Sequence, residues 1–277
     1  AFGSPESALN TMAALREYAL MKASSAVSTV KFDKVKREKA LKIIDHARSE
    51  GRNALTEVEA KDVFAIYGMP VTSTLLAKSE DEAVKLANQI GYPVVMKIVS
   101  PDILHKSDAG GVKVNIKDEA AVRDAFRTIM TNAKAYRADA RIHGIAIQEM
   151  APWGTEVILG SVNDPTFGPT MMFGLGGIFV EVLKDVTFRV APVSCGQAER
   201  MLGEIRGAPI LMGVRGEKPR DRQALAETIC AYSTMILDLA DEISESDANP
   251  VLVYEEGKGV KVVDARIILK KKINPSQ

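Results

Sequence analysis

The residues predict a mixed α/β (α+β) chain of two lobes preceded by N-terminal helices. Three observations carry this expectation. Between Leu55 and Met150, short apolar runs alternate with helix patterns that begin at capping signals, as in a layered α/β lobe. From Pro152 the pattern changes to strand-like runs punctuated by turn residues, as in an antiparallel meander. A chain of 277 residues with 46% apolar content can also bury cores of the size that two lobes need.

Each element has its own signal. Ser4 and Pro5 make an N-cap and first-turn pair, and Leu9, Met12, Ala13, Ala19 and Leu20 keep helical spacing on one stripe. Residues 22 to 31 are small and polar and read as a linker. Val35, Leu41 and Ile44 then mark a second helix that stops at Gly51. The compact part is expected from Leu55, which leaves 1–54 as an N-terminal helical segment. Thr56 with Glu59 is a capping box; Val63, Phe64 and Tyr67 follow, and Gly68 with Pro70 ends the helix. Val71 to Ala77 reads as a strand, Ser79 with Glu82 as a second capping box, and the next helix runs to Gly91. The run Val94 to Val99 is apolar on both pleat faces with Lys97 in its middle, so it should be covered on both sides. Gly111 to Ile116 is a strand, Asp118 caps a helix carrying Val122, Phe126, Ile129 and Met130, and Gly144 to Met150 closes a first lobe, 55–150.

In the second lobe, 151–277, turns are expected at Asn163-Asp164-Pro165 and at Gly174 to Gly177. Helices are expected at 196–205 and 221–240, the latter with Leu225, Ile229, Tyr232, Ile236 and Leu239 on one face. Between them LMGVRGEKPRD reads as a glycine-rich basic loop. The chain closes with Asn249-Pro250, a strand Val251 to Tyr254, a turn at Glu256 to Gly259 and a strand Val260 to Ile268.

Composition excludes several classes. Thirty-six Lys+Arg balance thirty-six Asp+Glu, and aromatics are only 5%, so neither a basic nucleic-acid surface nor base-stacking platforms are indicated. The uncharged stretch Pro165 to Val180 is too short for a membrane span and is broken by glycines and prolines. With no secretory signal, a soluble cytoplasmic protein is expected. Cys195 and Cys230 lack CxxC spacing and read as two ordinary thiols, not a disulfide framework or a zinc site. His46, His105 and His143 show no metal-ligand spacing. An opening at Ala1, without an initiator Met, suggests a fragment or processed product.

Chemistry concentrates in VVMKIVSPDILHKSDAGGV, residues 94 to 112. A buried Lys97 needs an anion, and Ser107, Asp108, Gly110 and Gly111 follow in a loop whose backbone N–H groups a missing Cβ would leave accessible. That combination suits a polyphosphate; a hairpin-like turn with a snorkelling lysine fits the same residues. Asn249 and Asp264 offer hard oxygen ligands suited to magnesium, although their spacing alone favours a turn former and a paired surface acid. No Walker GxxxxGK[ST] and no GxGxxG occurs, so a phosphate site here is neither P-loop nor Rossmann.

Those motifs, with IQEM at 147 to 150, GTEV, DPTFGP and FGLGGIFVEV between 154 and 183, GVRG at 213, and DANP followed by VDARI at 247 to 267, resemble the ATP-grasp part of the NDP-forming acyl-CoA synthetases. These are relatives of the succinyl-CoA synthetase beta subunit. The resemblance covers roughly Leu55 to Leu269, and SPESALNTMAALREYAL looks like the end of a preceding CoA-ligase domain. It implies an ATP-grasp fold whose two lobes clamp ATP or ADP with Mg2+, and an acid–thiol ligase of which this chain supplies a partial activity. Lys97 would contact the phosphates; Ser107, Gly110 and Gly111 would belong to the loop over them. Gln148, Glu149 and Met150 would read adenine, partly through backbone groups. Asn249 and Asp264 match the metal ligands. His105 is similar to a second phosphohistidine proposed in some members, with a plain phosphate- or Asp108-bonding role as its alternative. Glu156 and Glu181 are weaker candidates to orient ribose, metal or the incoming histidine loop, and Arg215 to neutralise phosphate.

Implied partners are the CoA-binding and phosphohistidine domains of the same synthetase, in cis or as a subunit, and an oligomer is compatible with this. Ala248 stands where some relatives carry a bulky aliphatic residue, and no CoA-binding Rossmann domain is recognisable. Two rival readings are an ATP-grasp ligase joining a carboxylate to an amine, for which His105 is dispensable, and a non-catalytic nucleotide-binding module of a fusion protein.

Overall fold

The computed structural model describes residues 3–24, 32–103, 105–177, 184–214 and 216–271. Helix α1, Pro5–Ser24, belongs to a separate compact unit that ends at Phe32. Ser4 caps it, its hydroxyl accepting the Ser7 N–H at 3.1 Å. The helix continues into the expected linker because Lys22 and Ala23 are good helix formers. Leu9 and Met12 on its stripe are exposed.

The second unit starts at Asp33, upstream of the expected start at Leu55. Asp33 caps α2, Lys34–Ser49, accepting the N–H groups of Val35 and Lys36. Only Ala40, Ile44 and Ala47 of this lysine-rich helix are buried, but they join the larger core, which draws the helix into the compact unit. Thr56 and Glu59 complete both halves of the box that starts α3, Glu57–Ile66. At Ser79 only one half forms: its hydroxyl accepts the Glu82 N–H, while the Glu82 carboxylate takes the N–H of Lys78 instead.

Four strands, β1 (Thr74–Ala77), β2 (Val94–Val99), β3 (Val112–Ile116) and β4 (Gly144–Glu149), make the smaller sheet in the order β1-β4-β2-β3. All its pairings are antiparallel, so this part is α+β. Val94, Met96, Ile98, Ile145 and Ile147 point to one face and form a core with α4 (Glu80–Ile90) and α5 (Glu119–Tyr136). Every residue of β2 is buried, as its two-faced apolar pattern predicted.

The meander is present as β5 (Thr155–Asp164), β6 (Gly168–Leu175) and β7 (Val186–Val190). With β8 (Ile243–Val253), β9 (Val260–Val262) and β10 (Ala265–Leu269) they form a larger antiparallel sheet in the order β10-β8-β5-β6-β7, β9 also pairing with β8. Helices α6 (Cys195–Glu204), α7 (Ala208–Met212) and α8 (Arg222–Asp238) accompany it, sharing one core with α2 and α3. The short α7 takes Leu211 and Met212 from the expected loop.

Strand β8 begins at Ile243, eight residues before the expected Val251, because SESDAN looks like loop chemistry. Its small residues Ser246 and Ala248 are buried while Glu245 and Asn249 are exposed, a period of two. Tyr232 reaches across, its hydroxyl donating to the Ser246 carbonyl at 2.8 Å and meeting Ser161 Oγ at 3.2 Å. Small residues on the strand leave room for this ring. The expected strand Val260 to Ile268 is divided at Val263 and Asp264. Asn249 therefore lies within a strand and Asp264 in the break of the next, the reverse of the expected placement.

Candidate functional site

Lys97 stands on the face of the smaller sheet opposite the helix-covered core. In register it pairs with Ala146 on β4, and two residues along, Gln148 pairs with both Val95 and Thr74. Lys97, Gln148 and Thr74 therefore share one face. Helix α3 meets that face. Its Ala60, Val63 and Phe64 sit in the larger core, while Glu57 and Lys61, one turn apart, reach the smaller sheet.

The contacts converge on Glu57. Lys97 Nζ donates to Glu57 Oε1 at 2.7 Å and to Asp264 Oδ2 at 3.1 Å. Lys61 Nζ donates to the same Glu57 oxygen at 2.9 Å, to Gln148 Oε1 at 2.8 Å and to Thr74 Oγ1 at 3.2 Å. Lys106, from the loop after β2, pairs with the other Glu57 oxygen. Three ammonium groups thus face two carboxylates, leaving one positive charge over in a largely buried cluster.

The electrostatics follow from this arrangement. Burial pushes Glu57 upward, but the combined field of Lys61, Lys97 and Lys106 holds it well below the usual range. Burial also pushes both inner lysines down. Lys97, with two carboxylates, still ends above its usual value, whereas Lys61, beside one carboxylate and the Lys97 charge, is pushed down to about 8.

The expected loop residues surround this cluster in different ways. His105, Ser107 and Asp108 are exposed. The N–H of Gly110 donates to the Ser107 carbonyl at 3.0 Å and that of Gly111 to the Lys106 carbonyl at 2.8 Å, so in this conformation both are used within the loop. Gly111 has a packing reason as well: a Cβ there would lie 2.5 Å from Ile98 Cγ2. Lys106 is the loop group that reaches inward.

The Gln148 side chain is buried and holds Lys61. Glu149 pairs with Lys261 at 2.7 Å, and its N–H donates to the Ser73 carbonyl. The Met150 N–H donates to the Pro93 carbonyl at 3.3 Å. Asn249 and Asp264 are brought together, the Asn249 N–H donating to the Asp264 carbonyl at 3.1 Å. Glu156 is exposed at the start of β5, its carbonyl accepting the Gly176 N–H at 2.8 Å. Glu181 and Arg215 lie outside the described residues.

Among the described residues, no group of three or more His, Cys, Asp or Glu could hold a metal ion. A cleft of about 510 Å³ opens beside Asn249, lined among others by Met172, Phe188, Asp247 and Arg266. Sequence reasoning missed Glu57, Lys61 and Lys106. The EVEAK spacing of Glu57 and Lys61 was the available signal, but such pairs usually lie on solvated helix faces.

Comparison with known proteins adds an independent line. A family profile described as an ATP-grasp domain matches residues 46–269. The chain is 51% identical over 262 residues to the ADP-forming 4-hydroxybutyrate–CoA ligase of Nitrosopumilus maritimus, covering 95% of this chain and 37% of that one. It is 54% identical over 231 residues to the beta subunit of ADP-forming acetate–CoA ligase I of Pyrococcus furiosus, covering 83% of this chain and 98% of the subunit. Among solved structures it resembles the dinucleotide-forming acetyl-coenzyme A synthetase 1 of Ca. Korarchaeum cryptofilum in complex with coenzyme A and Ca-AMPCP. That match has a TM-score of 0.80 and 49% identity, covering 83% of this chain and 100% of that one. The same synthetase is known with Mg-AMPPCP and its phosphohistidine segment pointing towards the nucleotide binding site, at TM-score 0.74 and 44% identity over the same shares.

Proposed function

Because the chain belongs to the ATP-grasp family of the ADP-forming acyl-CoA synthetases, we propose that it is the nucleotide-handling portion of such an enzyme. Its reaction is reversible, magnesium-dependent phosphoryl transfer between ATP or ADP and a histidine, during formation of an acyl-CoA from a carboxylic acid and CoA. The observation that carries this reading is the cluster of Lys61, Lys97 and Lys106 around Glu57 and Asp264, with its surplus positive charge. A phosphate chain is the ligand that such a surplus fits.

The donor set also fits magnesium. Asn249 and Asp264 supply an amide oxygen and a carboxylate, hard ligands too few to enclose an ion, as suits a metal that keeps water and phosphate oxygens. When bound, the ion would neutralise charge developing on the transferred phosphoryl group. Lys97 holds phosphate oxygens from a rigid strand, and Glu57 keeps Lys97 and Lys61 aimed. Ser107, Gly110 and Gly111 carry the loop that brings Lys106 in. The segment Gln148 to Met150 borders the adenine, with Gln148 positioning Lys61. Glu156, Glu181 and Arg215 are kept as outer contacts.

His105 is the second phosphoryl carrier in this reading. A ring nitrogen bonds the phosphorus as the P–O bond to its donor breaks, and the oxygen leaves with the electron pair. The partners are the CoA-binding and phosphohistidine domains of the same synthetase, on one chain or on a second subunit. The chain spans 37% of the N. maritimus ligase, and the remainder of such a protein is where those domains would lie.

Calorimetric titration with ATP and ADP, with and without Mg2+, tests the reading on the chain and on its Lys97→Ala and Asp264→Ala variants. Magnesium-dependent binding by the wild type that is lost in both variants is expected. Equal binding by a folded Lys97→Ala variant would remove Lys97 from the site.

A further inference from the structure

The sequence reading leaves Cys195 and Cys230 as two ordinary thiols, but the fold brings them together. Cys195 is the first residue of α6 and Cys230 lies at the middle of α8, thirty-five positions later, yet their Sγ atoms are 2.7 Å apart. At that separation the two thiols are in direct contact.

The packing that achieves this is independent of the sulfurs. Ala198, Met201 and Leu202 on α6 and Leu225, Ala226 and Ile229 on α8 are buried in one core. A second cross-tie, the ion pair between Glu199 and Arg222, fixes the two helices against each other in an antiparallel sense. The thiols therefore meet on helices already held in register by contacts that do not involve the sulfurs.

We infer that Cys195 and Cys230 form a redox-sensitive pair that closes to an intramolecular disulfide on exposure to a peroxide. Cys195 is exposed and Cys230 half-buried, so an oxidant reaches Cys195 first. The Cys195 sulfur displaces water from hydrogen peroxide and becomes a sulfenic acid. The Cys230 sulfur then attacks it, the S–S bond forms, the S–O bond breaks, and the oxygen leaves as a second water. Two thiols are oxidised by two electrons, and one peroxide is reduced to two waters.

Burial and the neighbouring sulfur push the Cys230 thiol up, so it stays protonated at neutral pH and the closing step is slow. The pair is thus suited to a lasting cross-link, not to rapid peroxide turnover. It joins the N-terminus of α6 to α8 and encloses α7 and the following loop in one covalent ring.

The test treats the folded chain with hydrogen peroxide, blocks remaining thiols by alkylation, and reads intact mass, digest peptides and the thermal midpoint. Expected are loss of both titratable thiols, a mass lower by two hydrogens, and one cross-linked peptide pair containing Cys195 and Cys230. The midpoint should rise by roughly 5–12 °C for a loop of this length and reverse with dithiothreitol. Cys195→Ser and Cys230→Ser should each abolish the cross-link. Two thiols that remain alkylatable, sulfinate accumulating on Cys195, or disulfide-linked dimers in place of the internal bond would each overturn the inference.

Discussion

Replacing Glu57 by Gln tests the charge cluster at its centre. The side chain keeps its size and one carbonyl oxygen, but three ammonium groups lose the carboxylate on which they converge. Removing one partner of a buried ion pair costs about 3–5 kcal/mol, because the other charge stays buried. Part of that is relieved here. Lys61 is already held at about 8, so without Glu57 it loses its proton near neutral pH and the cluster sheds one positive charge. The net loss for Glu57→Gln is then about 2–4 kcal/mol, or a midpoint lower by roughly 5–12 °C at pH 7 in thermal unfolding.

The pH dependence has a fixed sign. Glu57 sits below its ordinary value of 4.5 in the folded chain, so its contribution is present above that pH and is lost as pH falls through the depressed value. The gap between wild type and variant should therefore narrow as the solution is acidified below 4.5, where Glu57 of the unfolded wild type takes up a proton while that of the folded chain stays charged. Midpoints equal within about 1 °C at pH 7, or a gap unchanged on acidification, would refute the idea that Glu57 is a buried anion neutralising these lysines.

Lys61 gives a slope of the same sign in a higher pH window. Its value falls from 10.5 to about 8 on folding, so the unfolded chain holds more protons between those limits and stability contributed by this group rises with pH there. The shift corresponds to about 3 kcal/mol, and Lys61→Met should flatten that rise in urea unfolding compared across the window. Tyr232→Phe removes the donor to the Ser246 carbonyl while leaving Ser161 and Ser246 bonded to each other at 2.7 Å. A loss of about 1–2 kcal/mol is expected in the same assay. Gly111→Ala drives a Cβ to 2.5 Å from Ile98 Cγ2, and about 1–3 kcal/mol of overpacking should appear as a lower midpoint and weaker nucleotide binding.

Much of the fold was legible because local signals agreed with tertiary packing. The Thr56 and Glu59 box, the Asp118 cap and the two-faced apolar run of β2 each produced the element they implied. What failed to read was chemistry shared between distant segments. SESDAN looks like loop because its inward residues are small, and their size makes sense only once Tyr232 is packed against them. Lys97 was legible as a buried cation from its strand alone, and Asp264 as an oxygen ligand whose role the resemblance decided. Glu57 was not, since an acid in the first turn of a helix is ordinarily explained by the helix dipole. Its burial depends on strands that follow it by many residues. The proximity of Cys195 and Cys230 likewise arises from helix packing and has no local spacing to announce it.

The position of α3 between the two sheets has a consequence for how a charged ligand is received. Lys61 and Lys97 were stripped of most of their water when the chain folded, because carboxylate and amide oxygens on α3, β4 and the β9–β10 break took the place of solvent. Under the proposed function, an arriving phosphate would therefore exchange one set of oxygen atoms for another and have little hydration to displace from those ammonium groups. Reception of this kind is a substitution at a dry centre, and its enthalpy should depend on which protein oxygens are released more than on the solvent outside.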